Sequence, residues 1–135
     1  MKAYMPRMAL LVGVFGMGIF SIGCGSGDSG DVLCTTSVDP GITLTVFDAQ
    51  TGLPAAEGAT ATLTDGAFAE TMQPFTFNGD PALTRFQGAY ERVGTYTVRV
   101  TKPGYTAFER SGVVVTRNIC HVNTLSLRAD LVPIP

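Results

Sequence analysis

From Gly41 to the C-terminus, apolar and polar positions alternate with a period of two, the spacing of a half-buried strand rather than of a helix. Ile42, Leu44 and Val46 alternate with Thr43 and Thr45, and Asp48-Ala49-Gln50-Thr51-Gly52 follows as a turn. Ala59, Ala61 and Leu63 alternate with Thr60, Thr62 and Thr64. Asp65-Gly66, a two-residue hairpin signal, then leads into a strand near Ala67 to Met72. Tyr96, Val98 and Val100 alternate with Thr95, Thr97, Arg99 and Thr101. Lys102-Pro103-Gly104-Tyr105 ends that run, because proline has no N–H for the ladder. Val113 to Val115, and Leu125, Leu127, Ala129 and Leu131, predict two more strands.

No segment after residue 40 carries a 3.6-residue stripe, and Pro54, Pro74, Pro81 and Pro103 recur too closely for long helices. Threonine on the polar side of each strand suits antiparallel sheets with one wet face. About seven short strands in roughly 100 residues predict an all-β fold, a single antiparallel two-sheet sandwich spanning residues 34–135. With no tryptophan, phenylalanine and tyrosine must supply the bulk of its core.

The N-terminus follows different rules. Lys2 and Arg7 are the only charges before Asp28, and they precede an apolar run from Met8 to Ile22. Such a run, as a helix, rises about 22 Å against a hydrocarbon core of about 30 Å. Its glycines weaken a permanent span further. A buried core helix would show a polar stripe, and this run has none, so residues 1–23 read as an export signal. Ser21-Ile22-Gly23-Cys24 resembles the lipobox of bacterial lipoprotein signal peptides, in which small residues let a peptidase reach the bond before a lipid-modified cysteine. Ser21 departs from the leucine usual there, and an ordinary secretory signal with Cys24 as a passive thiol is the alternative. The resemblance implies a mature chain that begins at a lipidated Cys24 and is held to the membrane by more than one acyl chain. Gly25 after the cysteine implies, by that family's sorting rule, a cell-envelope address at the outer membrane.

Residues 24–33 then form a short flexible linker of small and acidic residues. Gly25-x-Gly27-x-x-Gly30 has the spacing of a dinucleotide loop. It lacks the flanking strand and helix that would hold a pyrophosphate, so no cofactor is expected. Three cysteines are an odd count. Lipidation of Cys24 leaves Cys34 and Cys120 as a pair in an oxidising compartment, where a disulfide is expected over free thiols or zinc. Two cysteines and His121 do not complete a four-ligand zinc site, and no metal is expected.

Several segments of the strand region resemble carboxypeptidase regulatory-like domains, a transthyretin-like sandwich family. They are Asp48-Ala49-Gln50-Thr51-Gly52-Leu53-Pro54 with Gly58-Ala59, then Gly88-Ala89-Tyr90, and most specifically Gly94 to Tyr105. The likeness covers roughly residues 40–130. Leu44 stands where glycine is usual, and residues 73–87 form a longer aromatic loop than the family pattern. The resemblance implies an adhesion, spacing or folding module rather than an enzyme.

Charge and chemistry narrow the picture. The 135 residues carry 9 basic and 11 acidic side chains, a net charge of −2, so no phosphate-backbone footprint is present and no nucleic acid partner is expected. His121, read as an edge residue at the start of the last strand, cannot pair with its neighbour Cys120, because adjacent strand residues face opposite ways. Glu57, Glu70, Glu91 and Glu109 are scattered, and no Gly-x-Ser-x-Gly elbow occurs. These features predict a non-enzymatic protein. Its suggestive segment is Gln73 to Tyr90, where Phe75, Phe77, Phe86 and Tyr90 lie among polar and turn residues, flanked by Arg85 and Arg92. Such rings either fold back to cap the sandwich or meet a ligand. The expectation is therefore an outer-membrane lipoprotein that binds an envelope protein or component. The alternative is a carbohydrate-binding module using these aromatics.

Overall fold

The computed structural model describes residues 30–135; the expected export signal (residues 1–23) and the expected lipidation position, Cys24, lie outside the described residues. Gly30 to Leu33 are exposed and carry no regular structure, and one compact unit runs from Val32 to Pro135. That unit is an all-β sandwich of eight strands: β1 (Ile42–Asp48), β2 (Thr60–Asp65), β3 (Phe68–Thr71), β4 (Gln73–Thr76), β5 (Thr84–Gly88), β6 (Gly94–Thr101), β7 (Phe108–Val115) and β8 (Leu125–Leu131). Two short 3₁₀ turns, Phe77–Gly79 and Pro81–Leu83, separate β4 from β5.

One sheet has the order β4-β5-β1-β8 and the other β3-β2-β6-β7. Every ladder is antiparallel except β1–β8, which runs parallel from Ile42 opposite Leu125 to Asp48 opposite Leu131. The alternating residues do what their period requires. Ile42, Leu44 and Val46 from β1 and Leu127, Ala129 and Leu131 from β8 are buried. They share one core with Ala61, Leu63, Val98 and Val100 of the other sheet. Burying such a side chain is worth about 1.5–3 kcal/mol, so this shared layer is the main driving force for the fold.

The chain passes between sheets at Met72, a fully buried residue whose N–H donates to the Ala61 carbonyl at 2.9 Å. On one side of it β3 pairs with β2, and on the other β4 pairs with β5. Pro74 sits on β4 because that strand is an edge, where the missing N–H leaves no ladder bond unmade. Tyr96, fully buried, fixes the corner before β6. Its hydroxyl donates to the Arg92 carbonyl at 2.9 Å and accepts from Arg92 Nη1 at 2.7 Å, while the same nitrogen reaches Asp65 at 2.8 Å. The Arg92 guanidinium also lies 3.9 Å from the Phe68 ring centroid.

The structure corrects three details of the sequence reading. Residues 73–87 are not a long loop but a β4–β5 hairpin with a 3₁₀ tip, which raises the strand count to eight. The last sheet strand pairs parallel with β1, so the sandwich is not purely antiparallel. Strand β7 begins at Phe108 rather than Val113, because an extra residue around Gly112 (φ +71°) shifts its register against β6 between Tyr96 and Val98. Among the described residues, no helix is long and apolar enough to cross a membrane.

Candidate functional site

The β4–β5 ladder decides which aromatic residues face solvent. Its register sets Gln73 opposite Gln87, Pro74 opposite Phe86 and Phe75 opposite Arg85. Alternation turns Phe86 inward, where it is 3% exposed, and leaves Phe75 at 49% exposure on the opposite face. Phe86 is therefore a core residue and leaves the set of candidate contacts. Phe77, in the first 3₁₀ turn, is 53% exposed. Phe75, Phe77, Arg85 and Gln87 together line an open cleft of about 170 Å³.

The hairpin tip is held by its own backbone chemistry. Asn78 (φ +52°) and Gly79 (φ +71°) make the reversal, and the Asp80 carboxylate accepts from the Ala82 N–H at 2.9 Å. Pro81 opens the second turn, and the Thr76 and Thr84 hydroxyls meet 3.0 Å apart at its neck. The cleft thus sits on a braced hairpin rather than on a free loop.

Tyr90, in the next turn, does not line the cleft but braces it through Gln87. Its hydroxyl donates to Gln87 Oε1 at 3.2 Å, which directs the Gln87 amide and leaves the amide N–H groups to donate elsewhere. Tyr90 is flanked by two non-glycine residues in the left-handed region, Ala89 (φ +54°) and Glu91 (φ +50°), each costing about 1–3 kcal/mol. Surrounding bonds over-determine the turn. The Ala89 N–H donates to Glu70 Oε2 at 3.0 Å, and the Ala89 carbonyl accepts from Gly41 and Arg92.

A second polar group lies on the far side of the same turn. His121 Nδ1 is 2.7 Å from Glu91 Oε1, and His121 Nε2 is 3.0 Å from Thr35 Oγ1, which in turn meets Ser37 Oγ at 2.8 Å. A carboxylate only accepts, so Nδ1 carries the proton and Nε2 accepts from the threonine when the ring is neutral. His121 stands not at the start of the last strand but in the turn between β7 and β8. There the Asn118 side chain accepts from the Cys120 and His121 N–H groups. The backbone N–H of Asp39 donates to Glu91 Oε1, and that of Glu91 to the Asp39 carbonyl. The Asp39 N–H, followed by His121, holds the Glu91 carboxyl below its ordinary value. Asp39, Glu91 and His121 offer donor atoms within 4.8 Å of one another.

Carboxylate, imidazole and hydroxyl in a row is the order of a nucleophile-activating relay. Here the Thr35–His121 contact and the paired Asp39–Glu91 bonds fasten the segment Cys34–Asp39 to the sandwich, and the His121–Glu91 contact joins their two anchor points. Cys34 and Cys120 are joined by a disulfide with a Cα–Cα distance of 5.3 Å, beside Thr35 and His121. The cluster and the disulfide form one clasp on the N-terminal arm. The disulfide is the one expected from the sequence, whereas the polar cluster was not legible there, because Thr35, Glu91 and His121 are brought together from three distant segments, each unremarkable alone.

A larger hollow of about 320 Å³ lies beneath the β4 edge, lined by Ala56, Gly58, Ala61, Met72, Pro74 and Phe86 among others. Its polar lining is Glu57 with Thr60, Thr71 and Thr84, and the rest is apolar or glycine. No family model matches this chain, and no curated protein matches it.

Proposed function

We propose that this chain is a non-enzymatic lipoprotein of the cell envelope, held at the outer membrane through Cys24, whose sandwich binds a partner protein or another envelope component by surface contact. The observation that carries the binding reading is the display of Phe75 and Phe77 at about half exposure on a braced hairpin, with Arg85 and Gln87 beside them. Exposed rings with polar neighbours are the usual energetic centre of a recognition surface. The anchor rests on the charged start, the apolar run Met8–Ile22 and the lipobox-like Ser21-Ile22-Gly23-Cys24. The likeness to carboxypeptidase regulatory-like domains supports an attached module rather than a catalyst.

The carbohydrate reading is favoured by one specific feature: the rings share their cleft with a guanidinium and an amide, the donors that sugar hydroxyl and carboxylate groups accept from. Hydrogen-exchange footprinting of the full-length protein with detergent-solubilised envelope extract tests the surface. Protection over residues 73–90 is expected. Protection confined to β7 would contradict it.

A further inference from the structure

We propose that the Phe75–Phe77–Arg85–Gln87 cleft takes an acidic sugar residue, a pyranose ring bearing a carboxylate. This rests on the reading of the β4–β5 face as the ligand surface and names the chemistry that face selects.

The cleft holds three kinds of group. Phe75 and Phe77 present apolar ring faces with no polar atom, suited to the C–H face of a sugar ring. Gln87 keeps its amide N–H groups for a ring hydroxyl, because Tyr90 already occupies its oxygen. Arg85 is the charge-selecting element. Among the described residues it makes no ion pair and no side-chain hydrogen bond, a state it shares with Arg110, whereas Arg92, Arg99 and Arg128 are paired with Asp65, Glu109 and Asp130; of these arginines only Arg85 lines the cleft. A planar guanidinium is the donor that matches a carboxylate with two parallel bonds.

Charge and size point the same way. No acidic side chain lines the cleft, and the Asp80 carboxylate in the nearby turn is engaged by the Ala82 N–H. The cleft of about 170 Å³ falls below the roughly 300–1,000 Å³ of drug-sized pockets, so the part of a ligand that it grips is small, on the scale of one sugar ring. A protein partner would need a total of about 1,200–2,000 Å² of buried surface. Two rings and a guanidinium supply the centre of such an interface but not its extent.

The test uses the full-length protein in detergent micelles on an array of uronic-acid and sialic-acid oligosaccharides, their methyl esters, and neutral oligosaccharides. Retention of an acidic glycan is expected, with at least about ten-fold loss on methyl esterification and a similar loss in Arg85→Gln. Arg85→Lys is expected to restore part of the affinity, and Phe75→Ala to weaken acidic glycans while the melting temperature holds. Equal retention of acid and ester overturns the acidic class. Silence across all glycans, with residues 73–90 still protected by envelope extract, overturns the sugar and leaves the surface standing. Silence with no protection there overturns both.

Discussion

At the scale of single residues, two side chains carry more of the fold than the sequence announces. Tyr96 is buried and both donates to and accepts from Arg92, so its hydroxyl ties the turn before β6 to the core. Tyr96→Phe is expected to cost about 1–3 kcal/mol, read as a lower urea midpoint at unchanged slope; an unmoved midpoint would contradict that role. Asp48 closes the turn after β1. The Thr51 N–H, the Tyr105 hydroxyl and the Gln50 N–H hold its carboxyl below the ordinary value of 3.8, and the same contact raises Tyr105 above 10.0. A carboxyl lowered on folding contributes stability that is complete above its unfolded value and disappears as the pH falls through the folded one. Wild type is therefore expected to exceed Asp48→Asn in urea midpoint at pH 7, with the gap narrowing below pH 3.8. A gap independent of pH would rule out the carboxylate as its source.

At the scale of elements, legibility followed the regularity of the pleat. Strands β1, β2, β6 and β8 were visible because apolar residues alternate mainly with threonine or, in β8, with Ser126, Arg128 and Asp130. Only the Val113–Val115 half of β7 was visible, since the extra residue near Gly112 flips the phase of Phe108 to Ser111. The β4–β5 hairpin was hidden by Pro74 and by Asn78-Gly79-Asp80-Pro81, which read as loop grammar although the structure uses them at an edge and a tip. The four aromatics could not be sorted before the strand register was known; register alone separates buried Phe86 from exposed Phe75. The parallel β1–β8 pairing has no local signal, because it joins segments more than 80 residues apart. The N-terminal arm is a further element without secondary structure, fixed by the Cys34–Cys120 bridge and by His121. A Cys34→Ser/Cys120→Ser variant is expected to lose up to about 4–5 kcal/mol in the chain-entropy account. Faster exchange at Thr35 to Asp39 should accompany that loss, and unchanged exchange there would show that the bridge does not hold the arm.

At the scale of the whole molecule, the sandwich places its exposed rings and Arg85 on the outer face of the sheet β4-β5-β1-β8. The arm that leads back toward Cys24 is clasped near the Ala89–Glu91 turn, the same turn that carries Tyr90 and reaches Gln87. Fixing that turn from both sides offsets the strain at Ala89 and Glu91 and holds the proposed contact face in one shape. A lipid at Cys24 would hold that face within reach of envelope components without requiring tight binding, since tethering raises the effective concentration. The most direct measurement is retention on isolated cell envelopes of a chain begun at Gly25, which carries neither the apolar run Met8–Ile22 nor a cysteine that can be lipidated there. The intact face is expected to remain bound through washing, and the same chain carrying Phe75→Ala and Phe77→Ala is expected to wash away; equal retention of the two would contradict the account.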